Sequence, residues 1–351
     1  MDSHVIYSAP PLQLTVSRRA SPAGVGLLEQ TIYGTHGPQY SHTGQAHKVQ
    51  HLTAPYFFDL WHQAQVVGTY CLSERPVQTA AGIATGFYGR YLAVGLPHRG
   101  QGYGHLLKQQ AVQYLERTRP QPQLFYSYVE ANNTRALQIS RTAGFEVLGQ
   151  LEAFAFGRFY PRADPRVTQL PTEARPQLLA QLATAYQGHT LVHFDQVQQE
   201  HPYFVLREKG VIVAGVQAHP MQWRITHMPG LSGWLLLHVL PYLPVLSRLL
   251  NPERYAFAAL EAVYVQPGHE SALFALLESV LAHFGLTSAL LMLDIHDPLS
   301  TLLHHSGKLG VLQALKQPVY TQVLGKLNGL TLPQLLGTPP RPLYASAFDY
   351  T

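Results

Sequence analysis

The chain contains little cysteine and little charge. Its single cysteine, Cys71, excludes an internal disulfide framework. The formal net charge is only +4 over 351 residues, and no run of Lys or Arg is longer than a pair. Because this basic excess is diffuse, the sequence argues against a nucleic-acid partner. A hydrophobic content of 46% at this length is typical of a globular protein with room for two domains.

Targeting, metal-binding and membrane-spanning patterns are also missing. The polar start, residues 1–4, does not resemble a signal peptide, so we expect a cytoplasmic location. The 19 histidines form no HExxH or similar spacing, so we expect no metal site. The apolar segment 230–250 approaches membrane-spanning length, but two prolines, a histidine and Arg248 interrupt it. We interpret it as a helical insertion over part of a cleft and expect no membrane association.

The most informative stretch runs from Leu92 to Gly104. An apolar strand pattern meets a glycine-dense turn, and a helical pattern with one apolar stripe follows at once. Glycines let backbone N–H groups approach a ligand closely, and a helix start adds a positive dipole, which together favour an anion such as a phosphate. The stretch lacks the Gly-Lys-Ser/Thr ending of a P-loop and has no G-x-G-x-x-G run followed by an acidic residue.

Two motifs narrow this interpretation. Arg99, Gly102 and Gly104 fit the pattern Arg-x-x-Gly-x-Gly. Further along, Val129, Asn133 and Ala136, followed by Gly144-Phe145, fit V-x-x-x-N-x-x-A…G-F. With both motifs in this order, the chain resembles the GNAT acyltransferase superfamily. The resemblance implies a mixed α/β fold and acetyl-CoA as the co-substrate.

The resemblance also implies which residues bind the coenzyme. The backbone of the strand before the turn would bind the pantetheine arm, the N–H groups of the turn would hold the pyrophosphate, and Asn133 would contact the pantetheine region. Simpler roles stand beside these: core packing for the strand, a solvated turn residue for Arg99, and a helix N-cap for Asn133. The predicted coenzyme-binding residues are Leu92, Ala93, Val94, Arg99, Gly100, Gln101, Gly102, Tyr103, Gly104 and Asn133.

The catalytic positions depart from the family pattern. Ser140 stands where the family often has a tyrosine that protonates the leaving thiolate, and Tyr88 stands near the usual position of an acidic base. Glu130, at the end of the next strand, is a candidate replacement base, although it would equally serve as a solvated or capping residue. Ser140, Glu130 and Tyr88 are therefore the candidate catalytic residues. Cys71 is interpreted as a buried apolar group rather than an acyl-enzyme nucleophile.

The order of strands and helices predicts two copies of one fold. Tyr56-Phe57 precedes Gly68, and Tyr203-Phe204 precedes Gly215, by the same spacing. The first half is predicted to contain a hairpin of Tyr56–His62 with Gln65–Leu72 and, at its end, paired strands from Phe145 to Phe159. The prediction assigns residues 1–162 to a coenzyme-binding domain, 163–176 to a linker and 177–351 to a degenerate copy. In that copy, Glu270 replaces Arg99 and Ala275 replaces Gly104, so the copy is expected to lack the ligand loop.

The favoured function is an N-acyltransferase in which a primary amine of a small molecule or peptide attacks the acetyl thioester directly. The alternative is a non-catalytic acyl-CoA-binding regulator, because the usual acid and base are missing. An aminoacyl-tRNA-dependent transferase is disfavoured by the intact pyrophosphate loop and the diffuse charge. The two halves predict a monomer that acts as a pseudo-dimer, or a homodimer.

Overall fold

The structure is a computed structural model that describes residues 3–34, 37–239, 242, 246–248, 251–316 and 318–350. The chain divides into two compact units. Unit 1 comprises Met1–Gly149 with Thr321–Thr338, and unit 2 comprises Gln150–Tyr320 with Pro339–Thr351. Each unit therefore contains two separate segments of the chain.

Unit 1 is a twisted sheet with helices packed on it. Its elements are β1 (His4–Ala9), β2 (Leu12–Ser17), α1 (Pro22–Glu29), β3 (Gln39–His42), α2 (Gln45–Gln50), β4 (Pro55–His62), β5 (Gln65–Thr79), β6 (Gly82–Val94), α3 (Tyr103–Thr118), β7 (Gln123–Glu130), α4 (Thr134–Thr142), β14 (Tyr320–Asn328) and α10 (Leu332–Leu336). The strand order is β1-β2-β4-β5-β6-β7-β14. The β4–β5 hairpin is the one predicted, although β5 extends further than expected.

Helix α3 covers one face of this sheet. Leu107, Ala111 and Leu115 are fully buried, so the predicted apolar stripe is confirmed. The stripe packs with Phe58 and Phe125 of the strands in one core cluster. This packing fixes the first turn of α3 beside the carboxyl end of β6.

The pairing of β6 with its neighbours contains the feature that matters most for the site. β6 pairs with β7 in parallel only from Thr85↔Gln123 to Tyr88↔Tyr126, yet the two strands continue to Val94 and Glu130. On its other side β6 pairs with β5 as far as Val94 and contains a bulge, at which Tyr91 has a φ of +59°. The bulged β6 thus diverges from β7. We call the space between residues 89–94 of β6 and residues 127–130 of β7 the β6–β7 gap.

Unit 2 repeats this plan. Its elements are β8 (Glu146–Gly157), β9 (Val167–Gln169), α5 (Arg175–Ala185), β10 (Tyr203–Glu208), β11 (Val211–His227), α6 (Gly230–His238), β12 (Tyr255–Val265), α7 (Glu270–Phe284), β13 (Ser288–Asp294), α8 (Pro298–Ser306), α9 (Val311–Leu315) and α11 (Ala347–Tyr350). The strand order is β8-β13-β12-β11-β10-β9. Among these pairs, β12 and β13 are parallel, as β6 and β7 are.

The bulge recurs at the equivalent position of unit 2. Ala262 has a φ of +48° and stands three residues before Val265, just as Tyr91 stands three residues before Val94. The register also corrects one detail of the sequence comparison. Gly68 pairs with Val94, whereas Ala214 pairs with Val265, so Gly68 corresponds to Ala214 and the match with Gly215 is one residue out of register.

The predicted boundaries differ from these units. Instead of paired strands from 145 to 159, the chain forms the single strand β8, which pairs with β13 of unit 2 from Leu151 to Gly157. Unit 1 receives β14 instead, which pairs antiparallel with β7. The expected linker 163–176 contains β9, which pairs with β10, so it is part of a sheet. The division therefore falls at 149/150, within β8, rather than near 163. The reason is that most of β8 belongs to unit 2, whereas the outermost strand of unit 1 is β14, from a much later part of the chain.

The predicted insertion at 230–250 lies only partly within the described residues. It begins with helix α6 and includes a 3-10 turn at Leu246–Arg248, and the remainder falls outside the described residues. None of the helices in the described ranges is both long and apolar enough to cross a membrane.

Candidate functional site

The β6–β7 gap leaves one edge of a strand available to a ligand. Over residues 89–94, β6 is hydrogen-bonded to β5 on one side but has parted from β7 on the other. Ala93 is buried, while Leu92 and Val94 are half-buried and pack against the core under α3. The predicted pantetheine strand therefore combines core side chains with a backbone edge that can accept an extended chain.

The glycine turn between β6 and α3 stands at the end of this gap. Gly100 and Gly102 have φ of +86° and +80°, a conformation that favours glycine, and a Cβ on either would meet nothing within 4 Å. Gly104 differs, because its Cβ would lie 3.3 Å from Ile139 Cδ1 of α4. The first two glycines therefore shape the turn, and the third allows the close approach of α3 and α4.

Helix α3 begins without a side-chain cap. Its N-cap residue is Gly102, which has no side chain to accept a hydrogen bond from the N–H groups of the first turn. Uncapped N–H groups at a helix start, together with the helix dipole, attract an anion. Tyr103, the first residue of the helix, is half-buried against the core.

Two polar side chains flank this turn. Arg99 is exposed, and its Nε donates to the Val94 carbonyl at 3.2 Å. Gln101 Nε2 donates to the Pro97 carbonyl at 3.5 Å. Both side chains lie at the surface beside Gly100 and Gly102, where each can reach an anion held by the turn.

Asn133 caps helix α4. Its Oδ1 accepts from the backbone N–H of Ala136 at 3.0 Å, and its own N–H donates to the Glu130 carbonyl at 2.9 Å. The capping role considered from the sequence is therefore present. Because the cap uses only the side-chain oxygen, the amide NH₂ group remains as a donor at the end of β7.

Glu130 is the last residue of β7 and lies at the open end of the β6–β7 gap. Its side chain is half-buried, and the Tyr40 hydroxyl donates to Oε1 at 3.4 Å. Burial raises the pKa of Glu130 above its usual value, although the hydrogen bond from Tyr40 opposes part of this shift. Glu130 is thus a desolvated carboxylate, which is the property that a general base near neutral pH requires.

Tyr88 lies at the root of the gap, in the last residue pair that joins β6 to β7. It is buried, and its ring centroid lies 5.2 Å from that of Tyr126 and 5.0 Å from that of Tyr128. The guanidinium groups of Arg75 and Arg90 lie within 6 Å of the Tyr88 ring centroid. Tyr88 is therefore part of an aromatic wall that closes the root of the gap.

Ser140 has an unexpected partner. It is 2% exposed, and Lys108 Nζ of α3 donates to its Oγ at 2.7 Å. Lys108 is itself 3% exposed, and burial lowers its pKa to about 7. Lys108 is not among the residues predicted from the sequence, yet helical periodicity contains the signal: position 108 lies four residues after Gly104 and three before Ala111, on the buried stripe.

The two sets of polar groups lie on opposite faces of β7. Side chains alternate along a strand, so Ser127, which faces Lys108, and Glu130, three residues later, point to opposite sides of the sheet. The β6–β7 gap therefore lies between a carboxylate on one face and a lysine–serine pair on the other. Cys71 takes no part, because it is fully buried on β5 and burial raises the pKa of its thiol to about 12.

In unit 2 the positions equivalent to the turn are filled by a side chain. The Glu270 carboxylate, at the start of α7, accepts a hydrogen bond from the Gly268 N–H at 2.9 Å, and backbone hydrogen bonds lower its pKa. An anion of the protein itself thus takes the place that the turn before α3 offers. The predicted loss of the ligand loop in this copy agrees with this arrangement.

The gap between β12 and β13 is also filled. The C-terminal tail (residues 343–350) contacts both strands at and just beyond their last residue pair, Leu260↔Leu291, and the Leu343 N–H donates to Asp294 Oδ2 at 3.2 Å. The Tyr350 hydroxyl bonds the carbonyls of Leu260 and Leu290, and Glu261 Oε2 accepts from the Ala347 N–H at 3.1 Å and from the Ser346 hydroxyl. In unit 2, groups of the unit itself therefore bond β12 around the point where it parts from β13, including the Tyr203 and Tyr186 hydroxyls, which donate to the carbonyls of Ala262 and Val263.

Comparisons with known proteins agree with this geometry. Residues 28–145, all in unit 1, match the family model described as acetyltransferase (GNAT) family. The chain is similar in structure to Saccharomyces cerevisiae N-myristoyltransferase with bound myristoyl-CoA, with a TM-score of 0.63 at 8% identity over 92% of this chain and 84% of that one. The GCN5-related N-acetyltransferases from Anabaena variabilis and Kribbella flavida both give a TM-score of 0.50, at 11% and 13% identity. Those two alignments cover 90% and 95% of this chain and 72% and 74% of theirs. No curated protein matches the chain in sequence.

The mixed sheet, with its bulged, diverging parallel pair and the glycine turn, has the fold of the GNAT-type N-acetyltransferases and the N-myristoyltransferase to which the chain is similar. Within unit 1, the match to the GNAT family model spans the turn, β7 and α4. The mixed α/β fold predicted from the sequence is confirmed, and the match of unit 1 to this family model agrees with the resemblance carried by the two sequence motifs. The roles of the individual coenzyme-binding and catalytic residues stay predictions.

Proposed function

We propose that unit 1 transfers an acetyl group from acetyl-CoA to a primary amine of a small molecule or peptide by direct attack of the amine on the thioester. The observation that carries this proposal is the open edge of β6 over residues 89–94, which runs from the uncapped start of α3 to the point where β6 and β7 part, with the Glu130 carboxylate on the β7 side of the gap. An extended acyl-CoA has its anionic, hydrogen-bonding and reactive parts in the same order.

In this proposal the coenzyme binds mainly to backbone groups of unit 1. The pyrophosphate accepts hydrogen bonds from the N–H groups of residues 100–104, with the Arg99 and Gln101 side chains beside it. The amides of the pantetheine arm add to the free edge of β6 at residues 92–94, as an extra strand would. The NH₂ group of Asn133 donates to the same arm from the opposite side of the gap.

Glu130 is proposed to accept the proton of the attacking amine. Its raised pKa matches this role better than that of a solvated carboxylate would, because a carboxylate with a higher pKa is a stronger proton acceptor. The Tyr40 hydroxyl orients the carboxylate by donating to Oε1. Activity therefore requires ionised Glu130 and should fall as the pH is lowered through its pKa.

The aromatic wall supports a short acyl group. The rings of Tyr88, Tyr126 and Tyr128 have centroids 5.0 to 6.2 Å apart and occupy the root of the gap. An acyl chain directed toward the root meets these rings, so a two-carbon group is favoured over a long chain.

The test combines binding and turnover. Isothermal titration should detect CoA binding to the wild-type chain, and Gly102→Glu should abolish it because it places a side chain and a negative charge at the start of α3. Gly210→Glu is the matched control, since Gly210 is exposed, has a similar φ of +84°, and its Cβ would also meet open space. Retained CoA affinity in Gly102→Glu would contradict the assigned site.

Turnover is then measured as release of the CoA thiol from acetyl-CoA in the presence of a broad panel of amines and N-terminal peptides. Thiol release that depends on an amine and is lost in Glu130→Gln is the expected result. Coenzyme binding without turnover across the panel would instead support the non-catalytic acyl-CoA-binding alternative.

A further inference from the structure

A buried ammonium group lies within the site region but has no role in the function proposed above. Lys108 Nζ contacts the hydroxyls of two serines: Ser140 Oγ of α4 at 2.7 Å and Ser127 Oγ of β7 at 3.5 Å. All three residues are almost fully buried. A lysine at this depth costs free energy that an apolar residue would not, so its presence calls for an explanation.

The position of the cluster relates it to the β6–β7 gap. Ser127 is the first residue of β7 beyond the last pair with β6, Tyr88↔Tyr126. Lys108 therefore lies against the point at which the strands part, on the face of the sheet opposite Glu130. The thioester of an acyl-CoA that follows the edge of β6 would end at this point.

Resting on the function proposed above, we propose that Lys108 is the positioning residue through which Ser140 protonates the CoA thiolate when the thioester is cleaved. The geometry suits this role because Ser140 Oγ accepts its hydrogen bond from Lys108, which leaves the serine O–H to point toward another acceptor. An isolated serine hydroxyl is a weak acid, and a lysine that can replace the proton removes this disadvantage.

The amine nitrogen attacks the carbonyl carbon and loses its proton to the Glu130 carboxylate, which releases that proton to solvent before the next turnover. The C–S bond then breaks with its electron pair on sulfur. The sulfur takes the proton of the Ser140 hydroxyl while Ser140 Oγ takes a proton from the Lys108 ammonium. Lys108 is left as a neutral amine, which suits a buried site, and regains its proton from solvent before the next turnover.

The surroundings of Lys108 permit both protonation states. The groups that face Nζ are the hydroxyls of Ser127 and Ser140 and the ring of Phe145, whose centroid lies 3.9 Å away. The ring favours the charged form, whereas burial lowers the pKa of the lysine to about 7. A lysine with this pKa exchanges protons near neutral pH, which an ordinary lysine does not.

The thiol of bound CoA provides a test that needs no acceptor amine. The ionisation of the thiol is followed by the ultraviolet absorbance of the thiolate while the pH is varied, with desulfo-CoA as the blank. In the wild-type chain the pKa of the bound thiol should be lower than that of free CoA by about one unit, because the Ser140 hydroxyl donates a hydrogen bond to the thiolate and the thiolate in turn favours the charged form of Lys108. Lys108→Met and Ser140→Ala should each return this pKa to the value of free CoA.

The control is Lys326→Met, which removes another cation of unit 1, one paired with Glu116 at 2.8 Å, and should leave the thiol pKa unchanged. Equal thiol pKa values in the wild type, Lys108→Met and Ser140→Ala would overturn the inference while coenzyme binding, and with it the proposed function, still stood. Failure of the wild-type chain to bind CoA at all would overturn both, so the two failures are distinguishable.

Discussion

Replacing the buried lysine of α3 should change how the stability of unit 1 depends on pH. Lys108 has a pKa of about 7 in the folded chain, whereas an unfolded lysine has one near 10.5. Between these values the unfolded state binds a proton that the native state has released, so the free energy of unfolding rises with pH. Below the folded value both states are protonated, and the full cost of burying the charge is present.

The magnitude follows from linkage. Each pH unit between the two pKa values adds at most about 1.4 kcal/mol, which amounts to about 2 kcal/mol between pH 7 and pH 9. In Lys108→Met this contribution disappears, since the methionine fills similar space without a charge. The difference in unfolding free energy between variant and wild type should therefore shrink by about 2 kcal/mol over the same range.

The assay is urea unfolding at pH 7, 8 and 9, followed by tryptophan fluorescence. The three tryptophans are Trp61 in unit 1 and Trp223 and Trp234 in unit 2, so a Trp223→Phe/Trp234→Phe background leaves a probe in unit 1 alone. Lys326→Met serves as the control with an unchanged pH dependence in this range. Parallel pH profiles of the wild type and Lys108→Met would refute the reasoning.

The remaining predictions concern the cap, the proposed base and the tail of unit 2. Asn133→Ala should lower the stability of unit 1 by about 1 kcal/mol in the same fluorescence assay, while Asn133→Asp should retain the cap; equal losses in both would contradict the capping role. Tyr40→Phe should move the acidic limb of the kcat/KM profile to higher pH, because its hydrogen bond lowers the pKa of Glu130, and an unmoved limb would exclude that carboxylate as the base. Glu261→Ala should destabilise unit 2 by about 2 kcal/mol or more, since the His219 ring, the Ser346 hydroxyl and the Ala347 N–H would lose their buried partner. The half-buried pair of Glu278 with Arg158 should contribute less than about 1 kcal/mol, and a loss in Glu261→Ala no larger than in Glu278→Gln would argue against the buried network.

Local patterns predicted the part of the site that depends on local conformation. Gly100 and Gly102 have the positive φ angles that a glycine-rich turn suggests, and Asn133 caps the helix that it precedes. The bulge at Tyr91 has no such signal, because a tyrosine rarely adopts a positive φ and its sequence neighbours do not indicate one. Lys108 was overlooked because a lysine within an apolar stripe is usually interpreted as solvent-exposed, although the period of α3 places it inside.

Long-range pairings account for the rest. β8 pairs with β13 and β14 pairs with β7, so both pairings join strands from distant parts of the chain. The local sequence of neither strand indicates which strand it pairs with. The same holds for Glu261, whose partners Ser346 and Ala347 lie in the tail. The aligned loss of the glycine turn near Glu270 was visible in the sequence, whereas the carboxylate that replaces the anion there required the structure.

The exchanged strand also determines when unit 1 can finish folding. During synthesis, β7 emerges early, but its outer partner β14 ends only at Asn328, near the end of the chain. Until then the edge of β7 presents unpaired backbone groups of a buried, apolar strand, which is the type of edge that pairs with other chains. A ribosome that stalls before residue 320, or a proteolytic cut that removes β14, would therefore leave unit 1 with an unpaired sheet edge, so nascent chains of this protein should depend on chaperones until β14 has been synthesised.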